Sequence, residues 1–351
     1  MPALGPSGTR DVRRFPVPGR RTTLTVAALA AAALVAPAPA TAAPPQPKIS
    51  YATGDVQIVA KQGERLVHTV RHANGAWDGY GDLYHWDYPS HMSYARPTSA
   101  TLNGEEHVVY ETSFGRMPPV FGLAHEVRHG DGYWNDAGIP ATYSLTHPHV
   151  IATALGQLHM IASDGTALHH SVQQADGTWT AWQPVPVDGA STEFAAAGEY
   201  GDLRAVFVAP DGASLVYAVH HSDDTWSPPQ QVALTTGSGA ITATRVSVAE
   251  VGDDLHVVVL GNHGDVYHSI LHPSGRWDGF GYIGTVAGEV GTVTAIAAAA
   301  SQGALQVAVA NSAGGLYHTI RFANGSWQHF ADVGHEIGDP GPIDELTLAG
   351  D

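Results

Sequence analysis

One twelve-residue phrase occurs six times in this chain of 351 residues, and every copy ends in tryptophan. Each copy carries His or Tyr nine residues before its Trp, without insertions. The copies are LVHTVRHANGAW (66–77), LAHEVRHGDGYW (123–134), LHHSVQQADGTW (168–179), LVYAVHHSDDTW (215–226), VYHSILHPSGRW (266–277) and LYHTIRFANGSW (316–327). The steps between tryptophans are 57, 45, 47, 51 and 50 residues. Repetition at this period in short apolar strands is typical of a β-propeller, in which each repeat forms one four-stranded blade.

Each phrase contains a hairpin signal just before its tryptophan, such as Asn74-Gly75 in the first copy. Asn-Gly pairs favour a two-residue type I′ turn, in which both central residues have positive φ. We therefore expect a strand c that ends near Arg71 and a strand d that starts at Trp77.

This turn also predicts which side chains meet across the hairpin. In a two-residue turn Arg71 lies opposite Asp78, and His72 lies opposite Trp77. Because alternate residues of a strand share a face, His68 and Trp77 are expected on the same face of the blade.

Two further strands precede strand c in the second to sixth repeats: an apolar strand b, such as 255–260, and a small-residue strand a, such as 294–299. The first repeat lacks strand a and begins with strand b at 56–59. Residues 344–349 have the pattern of a strand a, with no further strand after them. Pairing these two segments in one blade closes the ring and removes its exposed edges. The sequence thus predicts an all-β, six-bladed propeller; the alternative, a seven-bladed one, would need another Gly-Trp hairpin.

The first 42 residues predict an export signal. Arg20 and Arg21 precede an uncharged run at 24–35, and small residues at 40–42 form a cleavage site. The run is shorter than the roughly 20 residues that cross a bilayer, so no membrane association is expected. We expect a secreted protein, with paired arginines that suit the twin-arginine pathway of bacteria, and one propeller domain over residues 43–351.

The predicted domain is strongly acidic and contains no cysteine. Removing the signal, with its five arginines and one aspartate, takes the formal net charge from −17 to −21. Such a surface repels phosphate, so nucleic acid is not an expected partner. Without disulfides the domain must draw its stability from its apolar core.

The repeated His or Tyr and the repeated Trp have two alternative roles. Structurally, the His can hydrogen-bond the backbone of a neighbouring blade while the Trp fills the gap between blades. Functionally, both can line a pocket there, with the Trp face stacking on a sugar ring. The first set is His68, His125, His170, Tyr217, His268 and His318; the second is Trp77, Trp134, Trp179, Trp226, Trp277 and Trp327.

The second copy contains HExxH, the zinc-protease motif, at His125 to His129. That motif works only on a helix, where the two histidines share a face one turn apart. In strand c they would lie about 13 Å apart, whereas two ligands of one zinc each lie about 2 Å from it. We therefore expect no metal there, and no cofactor.

No nucleophile elbow, phosphate loop or cysteine site occurs in the sequence. Glu106, Glu193 and Glu336 are the carboxylates to inspect for glycoside hydrolysis, because they stand outside the repeated phrase. Each is expected to be a solvated loop residue.

The phrases LYHTIRFANGSW and LVHTVRHANGAW resemble the repeats of bacterial propeller lectins related to the Photorhabdus luminescens lectin, and of similar domains common in exported actinobacterial proteins. The resemblance extends over about residues 49–351. It implies shallow sugar sites between consecutive blades that recognise fucose or methylated sugars. This chain departs from the pattern in having six evident repeats rather than seven, and in the variable position six residues before the Trp, which reads Arg71, Arg128, Gln173, His220, Leu271 and Arg321.

The arginine copies are the predicted sugar sites. An arginine offers several donors in a fixed fork, and the nearby Trp can take the apolar face of the sugar. The predicted ligand-binding residues are Arg71, Trp77, Arg128, Trp134, Arg321 and Trp327, together with His68, His125 and His318. The alternative is that these arginines only pair across the hairpin with Asp78, Asn135 and Gln328.

The expected function is a secreted, non-catalytic, lectin-like propeller whose partners are glycans or small sugars. Two other functions remain open. The first is a protein-interaction scaffold whose acidic face selects a basic partner. The second is a glycan hydrolase or lyase with one site in the central channel.

Overall fold

The computed structural model describes residues 54–83, 92–114, 120–137, 145–152, 156–187, 193–199, 202–237 and 239–350. The predicted export signal lies outside these residues. Within them no helix is both long and apolar enough to cross a bilayer.

The described residues are almost entirely β-structure. In chain order the strands are β1 (Val56–Gln62), β2 (Arg65–Arg71), β3 (Gly81–Asp82), β4 (Met92–Leu102), β5 (Glu105–Phe114), β6 (Val120–Arg128), β7 (Trp134–Asp136), β8 (Thr146–Ala152), β9 (Leu158–Ser163), β10 (Leu168–Val172), β11 (Gln183–Pro184), β12 (Phe194–Glu199), β13 (Asp202–Val208), β14 (Ser214–His220), β15 (Gln230–Ala233), β16 (Thr235–Thr236), β17 (Gly239–Ala240), β18 (Ala243–Val251), β19 (Asp254–Gly261), β20 (Val266–Leu271), β21 (Gly281–Tyr282), β22 (Val293–Ser301), β23 (Ala304–Asn311), β24 (Leu316–Arg321), β25 (Ala331–Asp332) and β26 (Glu345–Gly350). The helices are α1 (Gly284–Ala287) and α2 (Val333–Ile337).

Six antiparallel four-stranded sheets form the blades, and β16 and β17 form a separate small hairpin. From the axis outwards, blade 1 is β26-β1-β2-β3, blade 2 is β4-β5-β6-β7, blade 3 is β8-β9-β10-β11, blade 4 is β12-β13-β14-β15, blade 5 is β18-β19-β20-β21 and blade 6 is β22-β23-β24-β25. Their innermost strands contact one another in the cyclic order β26, β4, β8, β12, β18, β22 and back to β26. The predicted six-bladed propeller is confirmed.

The ring closes in blade 1 through strands from the two ends of the described chain. Strand β26 lies antiparallel to β1, with Thr347 opposite Val59 and Leu348 opposite Ile58. The predicted pairing of residues 344–349 beside 56–60 is therefore correct. The pairing covers the inner edge of β1, which would otherwise be a template for aggregation.

The core is divided into six apolar clusters, one between each pair of adjacent blades. Between blades 6 and 1, Val56 and Ile58 pack against Ala297 and Ala308, and all four are almost completely buried. Burying a side chain such as Ile58 contributes about 1.5–3 kcal/mol. The alanines of β22 let neighbouring blades approach closely near the axis.

The hairpin between strands c and d differs from the predicted type I′ turn. In blade 1 the His72 N–H donates to Ala76 O, and the Gly75 N–H donates to His72 O, both at 2.8 Å. Among these residues only Gly75 has positive φ, at 88°. This is a three-residue loop with a glycine bulge, and Asn74 accepts from the Ala76 N–H at 2.9 Å.

The longer loop shifts the hairpin register by one residue. Arg71 lies opposite Trp77 rather than Asp78, so the predicted cross-strand pairs are wrong. A one-residue shift moves side chains to the other face of a blade. Accordingly Trp77 contacts blade 6, whereas His68 contacts blade 2, and the expectation that they share a face is also wrong.

Candidate ligand-binding clefts between the blades

Four repeated side-chain positions meet between each pair of adjacent blades, at the end of the blade that carries the c–d hairpin. The preceding blade supplies its strand-c His or Tyr and a polar residue from strand b, and the following blade supplies its Trp and the residue opposite it. We name each cleft by its two blades. The members are Gln57, His68, Arg128 and Trp134 (cleft 1–2); His107, His125, Gln173 and Trp179 (2–3); His159, His170, His220 and Trp226 (3–4); Arg204, Tyr217, Leu271 and Trp277 (4–5); His256, His268, Arg321 and Trp327 (5–6); and Gln306, His318, Arg71 and Trp77 (6–1).

The His or Tyr of one blade contacts the Trp of the next blade edge-on in all six clefts. The ring centroids are 5.3 Å apart for His68 and Trp134 and 6.2 Å apart for His125 and Trp179, and the other four pairs fall between these values. Each Trp is only partly buried. One part of the indole therefore holds the blades together, while the rest can still meet a ligand.

Within the described residues, no hydrogen bond of the kind that the structural alternative supposed joins these histidines to the backbone of a neighbouring blade. Instead each of three bonds a second histidine on strand b of its own blade: His125 with His107, His170 with His159, and His268 with His256, each pair 2.9 Å apart. Burial lowers the pKa of His107 to about 4 and that of His125 to about 3, so both rings are neutral at pH 7. The phrase-based prediction did not include this strand-b position.

Cleft 6–1 concentrates hydrogen-bonding groups that have no partner. The half-buried Arg71 guanidinium lies against the turn at Gly75 and forms no hydrogen bond or ion pair with any residue that the structure describes. Burial lowers its pKa. Across the cleft, His318 Nε2 and Gln306 Oε1 are buried and also lack a hydrogen-bond partner in the described part of the chain. Burial, and then the charge of Arg71, lowers the pKa of His318 to about 3, so its ring is neutral.

Cleft 5–6 has the same arrangement with a histidine pair in place of one glutamine and one histidine. The Arg321 guanidinium packs over Gly325 as Arg71 packs over Gly75, and in the described parts of the chain it too lacks a polar partner. Burial lowers the pKa of His256 to about 4, and the charge of Arg321 lowers it further. A cation beside neutral imidazoles therefore faces this cleft.

Cleft 1–2 differs because its strand-c histidine already contacts polar groups. His68 Nε2 lies 2.7 Å from Gln57 Oε1 and 3.0 Å from Glu106 Oε2. Glu106 is completely buried in β5, opposite Arg128, so the expectation of a solvated loop is wrong. The equivalent residues of the other blades are Val56, Leu158, Leu203, Leu255 and Leu305.

The other three clefts have no arginine opposite their Trp. In cleft 4–5 Leu271 is buried, and Arg204 forms an ion pair with Glu250 at 2.9 Å. In cleft 2–3 the Gln173 amide donates to Gly177 O at 3.4 Å. Cleft 3–4 encloses a cavity of about 590 Å³, and its three histidines each place a ring nitrogen within 4.8 Å of the others.

In the structure each predicted Arg–Trp pair meets the strand-c His of the preceding blade, not the His of its own repeat. The fold brings Arg71 together with Trp77 and His318, and Arg128 together with Trp134 and His68. The partners of Arg321 and Trp327 are His268 and His256, which the sequence reasoning did not select. His125 faces Trp179 in a cleft without arginine.

The predicted hairpin pairing of the arginines is not observed for Arg71. Asp78 bonds His72 Nε2 at 3.0 Å instead. Asn135 likewise contacts His129.

The HExxH segment lies in a strand, which confirms that its geometry is not that of a zinc protease. His125 belongs to β6 and bonds His107, whereas His129 follows the strand and bonds Glu105 at 2.6 Å.

The channel mouth on the opposite face is bordered by ion pairs. Arg96 contacts Glu193 at 2.7 Å, and Arg245 contacts Glu345 through both guanidinium nitrogens. Burial raises the pKa of Glu193, and the two arginines oppose that shift. Glu193 therefore lies at the channel rather than in a solvated loop, and Glu336 is exposed in the short helix α2.

No protein-family model and no curated protein matches the chain. Among solved structures, the Arthrobotrys oligospora protein AofleA has a TM-score of 0.56 at 13% identity, covering 87% of this chain and 91% of its own. The BP39L lectin from Burkholderia pseudomallei has a TM-score of 0.56 at 14% identity, covering 81% and 83%. A mutant of the Aleuria aurantia lectin in complex with Fucα1-6GlcNAc has a TM-score of 0.55 at 12% identity, covering 82% and 97%. A nidogen/laminin complex is also similar, so these likenesses show the fold alone.

Proposed function

We propose that this chain is a secreted, non-catalytic carbohydrate-binding propeller of the Photorhabdus luminescens lectin type, with sugar sites in the arginine-bearing clefts 5–6, 6–1 and 1–2. The observation that carries the proposal is the unpartnered Arg71 guanidinium beside the unpartnered His318 and Gln306. Leaving buried polar groups without partners costs about 1–3 kcal/mol each, so a ligand that satisfies them recovers that cost.

A neutral sugar suits the chemistry of cleft 6–1. The arginine fork donates to adjacent hydroxyl oxygens, and the neutral His318 nitrogen and the Gln306 oxygen offer further bonds to hydroxyl groups. The exposed part of Trp77 can take the apolar face of the ring. The lectin neighbours, one of which holds a fucosylated disaccharide, support fucose-containing glycans as the first ligands to test.

The three clefts are expected to differ in affinity. Arg71 and Arg321 have no partner among the described residues, whereas His68 of cleft 1–2 already contacts Gln57 and Glu106. Clefts 5–6 and 6–1 therefore bind more tightly than cleft 1–2. Three sites on one rigid disc increase affinity for clustered glycans without requiring a strong single site.

A glycan panel followed by calorimetric titration tests this function. We expect binding of fucosylated or methylated sugars, with Arg71→Ala and Arg321→Ala each lowering the number of bound ligands. Arg276→Ala is a matched control, because Arg276 is an exposed arginine that pairs with Asp278 beside cleft 4–5, where Leu271 stands opposite the Trp. Absence of binding to every sugar would contradict the proposal and favour the alternative function, a protein-interaction scaffold.

The hydrolase or lyase alternative receives less support from the channel mouth. Its carboxylates Glu193 and Glu345 are engaged by Arg96 and Arg245, which favours a role in joining the blades. Hydrolysis of chromogenic glycosides by the wild type, lost in Glu193→Gln, would reverse this conclusion.

A further inference from the structure

Cleft 3–4 brings together three histidines from two blades. His159 of β9 and His170 of β10 form a bonded pair, with Nδ1 and Nε2 2.9 Å apart. His220, the last residue of β14, stands where blades 1, 2 and 6 carry arginine, and its ring centroid is 4.3 Å from that of His170. Each of the three offers a ring nitrogen within 4.8 Å of the others.

All three imidazoles are buried and retain the capacity to bind. Their exposed fractions are 2% for His159, 3% for His170 and 4% for His220. His159 Nε2 and His220 Nδ1 have no hydrogen-bond partner among the residues that the structure describes. Burial lowers the pKa of His159 to about 4 and that of His170 to about 3, and it also lowers the pKa of His220. Burial therefore favours the neutral form of each ring, which is the form that binds metals.

The spacing of the rings is compatible with a tetrahedral metal ion. Zinc binds histidine nitrogens at about 2.0–2.1 Å, so two ligands of one ion lie roughly 3.3 Å apart. His159 Nδ1 and His170 Nε2 lie slightly closer than this, at 2.9 Å, and a ring nitrogen of His220 lies within 4.8 Å of the other two ligand atoms. An ion bound among them would replace the hydrogen bond between His159 and His170. Neutral imidazoles select zinc, copper or nickel over calcium and magnesium, which prefer oxygen.

Two other clefts of the ring show why this one differs. Clefts 2–3 and 5–6 contain the same 2.9 Å histidine pair, His107 with His125 and His256 with His268. Their third position holds Gln173 in one and Arg321 in the other, so neither completes a set of three imidazoles.

We propose that cleft 3–4 is a binding site for a divalent transition-metal ion such as zinc, held by His159, His170 and His220. The fourth coordination position faces the cleft, whose wall includes Thr180 and Asp224, and remains open to water or another ligand. The ion links blade 3 to blade 4, because His159 and His170 belong to blade 3 and His220 to blade 4. It lies near the position that the arginine guanidinium occupies in the arginine-bearing clefts. The site does not depend on the proposed sugar function.

Equilibrium dialysis of the untagged, secreted protein against Zn²⁺, with metal counted by elemental analysis, tests the site. We expect one tightly bound zinc per chain in the wild type and none in His220→Gln. This substitution reproduces the composition of cleft 2–3, with Gln at the third position. His159→Gln serves as a second variant, because Gln57 and Gln306 occupy the equivalent position in blades 1 and 6. It should also lose the ion.

A gain of metal binding tests whether three histidines in this register suffice. Gln173→His adds the missing imidazole beside His107 and His125, and we expect it to raise the stoichiometry from one zinc to two. Visible absorption of Co²⁺ in the same proteins reports tetrahedral coordination, and Ca²⁺ should neither bind nor compete. A folded wild type that binds no zinc, equal zinc in the wild type and both glutamine variants, or no second ion in Gln173→His would overturn the proposal.

Discussion

Clefts 6–1 and 3–4 lie on opposite sides of the ring and use the same framework for different chemistry. In both, a Trp of the following blade packs edge-on against a buried His, at 5.6 Å in cleft 6–1 and 5.8 Å in cleft 3–4. They differ at the remaining two positions, which are Gln306 and Arg71 in one and His159 and His220 in the other. The repeated phrase thus holds the blades together, and two variable positions determine what a cleft can bind.

Both clefts depend on a closed ring, so breaking the ring should have the largest effect. Deleting residues 345–350 removes β26, exposes the inner edge of β1 and uncovers Val56 and Ile58. We expect a large fall in melting temperature and the loss of sugar and metal binding together. Local fraying of blade 1, with cleft 3–4 still intact by hydrogen exchange, would contradict the shared framework.

The Trp positions should contribute similarly to stability in both clefts. Complete loss of a buried aromatic side chain costs about 3–5 kcal/mol, and these tryptophans are partly exposed, so we expect about 2–3 kcal/mol for Trp77→Ala and for Trp226→Ala. Denaturant unfolding measures both values. Only Trp77→Ala should also weaken sugar binding. A loss of stability in one variant alone would show that the Trp does not hold the blades together in the same way in the two clefts.

Buried neutral histidines should make the folded ring sensitive to acid. The pKa of His318 is about 3 in the folded state, below the ordinary value of 6.5, so the unfolded chain binds the additional proton as the pH falls. Stability contributed by the neutral ring is present above pH 6.5 and is lost below it, at up to about 1.4 kcal/mol per pH unit.

His318→Tyr tests this dependence, because Tyr217 occupies the same position in blade 4. The unfolding free energy of the variant should fall less steeply between about pH 6 and pH 4 than that of the wild type. Equal slopes would show that His318 does not titrate with folding.

His72, in the hairpin beside cleft 6–1, should have the smallest effect and the opposite sign. Hydrogen bonds to Asp78 and then to Asp55 raise its pKa above 6.5. The stability that these bonds give is present below pH 6.5 and is lost as the pH rises through the raised value. His72→Gln, which matches Gln174 in blade 3, should remove this slight decline in melting temperature, and an unchanged profile would contradict the assignment.

The fold was largely predictable from the sequence because the repeated phrase is free of insertions. The Trp spacing predicted six blades, and the incomplete first repeat predicted the pairing of β26 with β1. The hairpin register was not predictable, because Asn-Gly fits both a type I′ turn and the observed three-residue loop with a bulge at Gly75.

The candidate sites were only partly predictable. The arginines could be found because they hold a constant distance from the Trp. The strand-b partners could not, since the turn between strands b and c varies in length: Gln57 precedes its Trp by 20 residues, His107 by 27 and Arg204 by 22. The histidine cluster of cleft 3–4 combines the strand-b residue His159 with His170 and with His220 of the next blade. It could have been found only by aligning the pairing of strands b and c across the repeats.

The central claim is that the residue opposite the Trp determines which clefts bind sugar. Its most direct test is calorimetric titration of a fucosylated disaccharide such as Fucα1-6GlcNAc into the wild type and the Arg71→Ala/Arg321→Ala double variant. We expect three sites in the wild type and only the weak site of cleft 1–2 in the double variant, with little change in melting temperature. The same number of bound ligands in both proteins would contradict the account and place the sugar sites elsewhere.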